Sequence, residues 1–137
     1  MKTLHYKARN KELLLDDLGF ERRKAQHLGI PIKVKYKLKP DKEMIKTVSY
    51  NISGTGISLK IDHPVRRGDK LTANLYLPGC KGGFIRAYCE VVWCKRADTR
   101  ADKHNYLVGI RYVKMTPKNE ERFVLNFCEM MTNYCIP

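Results

Sequence analysis

Two short stretches of this chain carry side chains able to hold an anion. The first, ERRKAQH at 21–27, contains Arg22, Arg23 and His27. A planar guanidinium forks two hydrogen bonds onto one target, which a point charge cannot do. The spacing of four from Arg23 to His27 puts both on one side if the segment coils. The second, NISGTG at 51–56, sets Asn51 and Ser53 two apart and follows them with Gly54 and Gly56. Side chains two apart on a strand share a face, so an amide and a hydroxyl there can meet the same ligand. Gly56 permits close backbone approach or a positive φ that a side chain would oppose. Taken alone, Asn51 and Ser53 read first as residues that cap a turn.

These residues need a scaffold, and the alternation of letters describes one. Ile32, Val34, Tyr36 and Leu38 alternate with Lys33, Lys35, Lys37 and Lys39, a strand with one wet face. Val48, Tyr50 and Ile52 keep that phase over 44–52, and Ile57, Leu59 and Ile61 resume it after the glycines. Segments 71–77, 85–93 and 105–113 complete six strands. The phase directs Tyr36, Tyr50 and Trp93 inward. Thr116 and Pro117 read as the cap and first residue of a helix, with Glu120 and Glu121 where its N-terminus favours negative charge. Phe123, Val124, Phe127, Cys128 and Met131 form its apolar stripe.

The fold class is therefore all-β with one C-terminal helix, its strands mostly antiparallel in a small barrel or sandwich. The chain divides into an N-terminal extension at 1–20, a basic linker at 21–31, and the β body with its helix at 32–137. Leu13, Leu14, Leu15 and Leu18 suit one or two helical turns in that extension.

The totals limit the chemistry. Lys plus Arg number 27 against 14 Asp plus Glu, a formal charge of +13 that draws nucleic acid, nucleotide phosphates or an acidic surface. Five cysteines, an odd number, fit a reducing compartment, and no apolar run suits a membrane span or signal peptide, so a cytoplasmic location is expected. Gly54-Thr55-Gly56 lacks the third glycine and the following helix of a dinucleotide fingerprint. Ser53 lacks the glycine and the strand-to-helix turn of a nucleophile elbow. Cys89 and Cys94, five apart in a strand, are expected on opposite faces, and His5, His27, His63 and His104 are scattered, so no metal site is expected.

Together, ERRKAQH and NISGTG resemble the two motifs of the PilZ family of bacterial cyclic di-GMP receptors. That family carries RxxxR before its first strand and (D/N)xSxxG between the next two. Asn51, Ser53 and Gly56 fill the second motif, and VVW, YLVGIRY and a terminal helix recur in order, so the likeness runs over 21–131. The first motif departs: His27 stands at the second arginine if Arg23 is the first, and Gln26 if Arg22 is. The resemblance implies a six-stranded antiparallel PilZ-like β-barrel and a sensor that is not an enzyme. Its implied ligand is cyclic di-GMP, held by Arg22, Arg23, His27, Asn51, Ser53 and Gly56, with no metal or further cofactor. Binding would reorder the N-terminal segment for an unidentified protein partner. Imidazole cannot reproduce a cationic fork, and loss of one charge-assisted contact costs about 1.5–3 kcal/mol, or roughly one to two decades in affinity.

A second reading is an adaptor of the same fold that has lost the nucleotide and works by protein contacts. A nucleic-acid-binding barrel is disfavoured, because inward Tyr36, Tyr50 and Trp93 leave no exposed stacking row.

Overall fold

The alternation of lysines with Val34 and Tyr36 makes β1 (Lys33–Lys37) a strand with one dry face, and five more strands repeat the pattern. They are β2 (Ile45–Ile52), β3 (Gly56–Ile61), β4 (Lys70–Tyr76), β5 (Ile85–Arg96) and β6 (Tyr106–Lys114). A one-turn helix α1 (Phe20–Arg23) precedes them and α2 (Pro117–Tyr134) follows. The computed structural model describes residues 20–80, 83–97 and 105–134. The helix expected near Leu13–Leu15 and Leu18, together with His5, His104 and Cys135, lies outside the described residues.

Every strand pairing is antiparallel, and the sheet closes as β1-β2-β3-β6-β5-β4. Val34, Leu59, Ala73, Leu75, Ile85 and Ile110 fill the interior. At one end α2 closes the core. Thr116 caps it, its Oγ1 accepting from the Asn119 N–H at 3.3 Å, and Phe123, Val124, Phe127, Cys128 and Met131 are all buried along its inner stripe. A column of rings runs through this end. Phe20 meets Phe127 edge-on at 6.1 Å, Phe127 stacks on Phe123 at 5.7 Å, and Phe123 meets Tyr112 of β6 at 5.0 Å. Among the described residues no helix is long and apolar enough to cross a membrane.

Two bulges overturn the expected direction of two aromatic side chains. In β2 it is Thr47 and Ser49 that face inward, while Tyr50 is 57% exposed. Burial of Ser49 is compensated by the strand entering beside it: its Oγ accepts the Ile32 N–H at 2.8 Å and donates to the Ile30 carbonyl at 3.0 Å. Thr47 likewise donates to the Lys60 carbonyl. The register then shifts between Ser49 and Asn51, which returns Ile52 to the core. In β5 the register shifts between Val91 and Trp93, so Trp93 pairs with Gly109 and is 39% exposed on the outside.

The second bulge also undoes the opposite-faces expectation for Cys89 and Cys94. With one residue inserted between them, Cys89 is buried and Cys94, paired with buried Val108, packs against the same core. Among the described residues, no group of three or more His, Cys, Asp or Glu is placed to hold a metal ion.

Candidate functional site

The linker does not coil far enough to place Arg23 and His27 on one helical turn. Helix α1 ends at Arg23, because the Lys24 carbonyl is taken by the Gly54 N–H at 2.7 Å instead of by a fourth residue ahead. The chain then runs antiparallel to the end of β2. Leu28 and Ile52 exchange both backbone hydrogen bonds, at 2.7 and 2.9 Å. The basic linker is thus held across the NISGTG turn at two points, Lys24 and Leu28.

Gly54 makes the crossing possible. A Cβ built there would lie 2.5 Å from the Lys24 Cβ and 2.7 Å from its Cα, so no larger residue fits without displacing the linker. Gly56 serves a different approach: a Cβ there would sit 2.3 Å from the Ile110 carbonyl oxygen on β6. Its φ is not positive, so close approach within the barrel is the reason for glycine at this position.

Within the turn, Ser53 is 1% exposed and its hydroxyl is engaged locally. The Oγ accepts from the N–H groups of Thr55 and Gly56, each at 3.2 Å, and donates to the Gly56 carbonyl at 3.3 Å. From below, the Tyr112 hydroxyl reaches the carbonyls of Gly56 at 3.2 Å and Ser53 at 3.4 Å. Complete burial pushes that phenol well above its usual pKa, so it stays a neutral donor under the turn. Tyr112 is a residue that sequence reasoning passed over. Nothing in the letters ties it to the turn 56 residues earlier in the chain.

Asn51 is half-buried on the outer face, and its Oδ1 accepts from the Ser58 hydroxyl at 2.9 Å. This leaves its Nδ2 free to donate outward. Asn51 pairs with Ser58, Ser58 with Gly109, and Gly109 with Trp93, so these four form one row across β2, β3, β6 and β5. A Cβ at Gly109 would be 2.2 Å from the indole, so the glycine lets Trp93 lie flat on the sheet. Lys95 Nζ stands 5.6 Å from the ring centroid. Trp93 is the second residue that sequence reasoning missed, because its alternation phase pointed inward; the glycine opposite it in YLVGIRY was the available signal.

Of the six residues singled out from sequence, the fold brings Asn51, Ser53 and Gly56 into one turn and lays the segment bearing Arg22, Arg23 and His27 across it. Arg22 and His27 are exposed. Arg23 is half-buried and acts on Cys128 of α2: burial raises that thiol's pKa, and the guanidinium charge lowers it. Neither arginine side chain hydrogen-bonds Asn51 or Ser53.

A family model described as PilZ domain matches residues 20–129. Comparison with curated proteins gives no match. Several solved structures share the fold. The Bacillus subtilis inhibitor of motility, MotI/DgrA, superposes with a TM-score of 0.63 at 17% identity, over 78% of this chain and 50% of that one. The present chain thus spans half the length of that relative. The PilZ domain of YcgR from Escherichia coli, solved with c-di-GMP, gives 0.58 at 12% identity, over 83% and 97%. PlzA of Borreliella burgdorferi, in complex with c-di-GMP, gives 0.57 at 8% identity, over 88% and 55%.

Proposed function

Since the chain belongs to the PilZ domain family, we propose that it is a cyclic di-GMP receptor that passes a signal to a protein partner and is not an enzyme. The observation that carries this reading is the linker laid across the turn, with Lys24 bonded to Gly54 and Leu28 to Ile52. A cyclic dinucleotide on the outer face beside that crossing would meet four kinds of group. Arg22 and Arg23 would fork onto its phosphates or guanine edges, and His27 would stack or donate. Asn51 Nδ2 would donate to a guanine acceptor, and Trp93 would offer a ring face. Ser53 and Gly56 would act by shaping the turn, since the serine hydroxyl is already engaged.

Drawing the two arginines onto the ligand would move α1. Because Phe20 packs on Phe127, that movement bears on α2 and on the chain preceding Phe20, which is the change a partner would read. The PilZ domain of YcgR and PlzA, both solved with c-di-GMP, support the ligand class, and MotI/DgrA, named as an inhibitor of motility, supports an output through another protein. Calorimetry with cyclic di-GMP on folded protein at low salt tests the proposal: heat of binding is expected, and silence at high micromolar ligand overturns it.

The adaptor reading is favoured by one observation, the Arg23 guanidinium acting on Cys128 instead of bonding in the turn. His27→Arg separates the two. A native chain that binds, with the variant binding one to two decades more tightly, supports the receptor. A native chain that is silent, with a variant that binds, supports the adaptor.

A further inference from the structure

On the side of the barrel formed by β1, β2 and β4, Lys33, Lys35 and Lys46 line a groove of about 440 Å³ with Val34, Thr47 and Tyr76. This face lies apart from the row that ends in Trp93. Lys33 and Lys35 are two apart on β1 and so point the same way, about 7 Å from each other. Lys46 sits directly opposite Lys35 on β2, about 5 Å across the ladder. Lys33 and Lys46 are exposed and Lys35 half-buried, and none of the three has a carboxylate partner among the described residues. Ion pairs such as Lys24 with Glu21 and Glu90 with Lys70 and Arg111 lie elsewhere. Three like charges are therefore held together in a concavity with no carboxylate paired to them among the described residues. Such an arrangement is costly alone and is relieved by an anionic occupant.

We propose that this groove docks an extended acidic segment of a partner protein. In an extended chain, carboxylates at alternate positions are also about 7 Å apart, which matches the two lysines of β1. The remaining chemistry points the same way. The groove is lined by ammonium groups, which are point charges and not forks that read phosphate geometry, and the nearest guanidinium, Arg86 at its edge, has its Nε engaged by the Asn74 Oδ1 at 3.0 Å. Its one aromatic, Tyr76, is half-buried and already engaged by Lys35 Nζ at 5.6 Å from the ring centroid and by Phe84 at 5.7 Å, so a base would have to compete for its ring. Three charges make too small a footprint for duplex recognition, which draws on many phosphates. No exposed apolar side chain lines the groove to enter a bilayer. The proposal is independent of the nucleotide site.

The test uses the full chain and a fluorescein-labelled peptide in which glutamate alternates with threonine, followed by anisotropy at low salt. Native protein is expected to bind it and to ignore the glutamine–threonine counterpart. Lys33→Glu, Lys35→Glu and Lys46→Glu combined should weaken binding about tenfold or more, and the corresponding Lys→Gln set should weaken it less, with unchanged melting temperature reporting the fold. A control with the same charge change elsewhere, Arg67→Glu, Lys114→Glu and Lys118→Glu, should bind as native. Equal loss in the control, equal binding of the uncharged peptide, or tighter binding of a DNA duplex or of phosphatidylserine vesicles through the same lysines overturns the proposal.

Discussion

Lys24 and Gly54 are in backbone contact, the Gly54 N–H donating to the Lys24 carbonyl at 2.7 Å with no room for a side chain between them. Gly54→Ala must push the linker off the turn. Amide exchange at Leu28 and Ile52 is expected to accelerate about tenfold or more, corresponding to loss of more than about 1.4 kcal/mol of local protection. Affinity for cyclic di-GMP should fall in parallel. Unchanged affinity with accelerated exchange would show that linker position does not matter for the ligand.

Trp93 is the single tryptophan of the chain, and it stands exposed over Gly109. Its fluorescence is therefore expected to change on titration with cyclic di-GMP. Trp93→Ala should weaken binding by about 1–3 kcal/mol, the range for loss of one base–aromatic stack. A silent fluorophore together with native affinity in the alanine variant would remove Trp93 from the site.

Ser49 is buried because it serves the backbone of the entering strand. Ser49→Ala leaves the Ile32 N–H without its side-chain acceptor and the Ile30 carbonyl without its donor. A cost of about 1–3 kcal/mol is expected, read as a lower urea midpoint at an unchanged m-value.

Four buried acids, Tyr36, Cys89, Tyr112 and Cys128, hold their protons more tightly than usual and shape the alkaline limb of stability, and two of them set its range. Burial and the charge of Asp62 push the Tyr36 phenol from 10.0 up to about 12, and burial alone pushes the Cys89 thiol from 9.0 up to about 12. Both hold their proton more tightly folded than unfolded. Their stabilisation is full below the unfolded values and is lost as pH rises from about 9 towards 12. For Tyr36 the shift corresponds to about 2–3 kcal/mol. Urea unfolding in reductant should show a flat profile below pH 9 and a fall above it. Tyr36→Phe should make the fall above pH 10 shallower, since Tyr112 and Cys89 still contribute there, and should start from a lower baseline because the hydrogen bond to His63 at 3.0 Å goes as well.

The strands and the helix were legible because alternation and capping are local. Lys33–Lys37 and Pro117–Tyr134 lie within a residue or two of where Ile32–Leu38 and the Thr116-Pro117 pair put them. Tyr50 and Trp93 were misdirected for one physical reason. A bulge adds a residue and reverses the phase without changing composition, so inward Ser49 and outward Tyr50 look the same in the letters as the reverse. Ser49 could take the inside only because Ile30 and Ile32 supply partners, and those contacts cross 17 to 19 residues of chain. At the site, the spacing of Asn51, Ser53 and Gly56 was readable. That Ser53 bonds within its own turn, and that Gly54 meets Lys24, depends on where the linker lands.

The ring column from Phe20 to Tyr112 ends directly beneath the turn, and its other end is the residue from which the linker departs. The two halves of the site therefore rest on one shared foundation. Truncating Phe123, which touches neither half, would hollow out that foundation and loosen both together, so a lesion buried deep in the hydrophobic plug would imitate damage to the proposed binding surface.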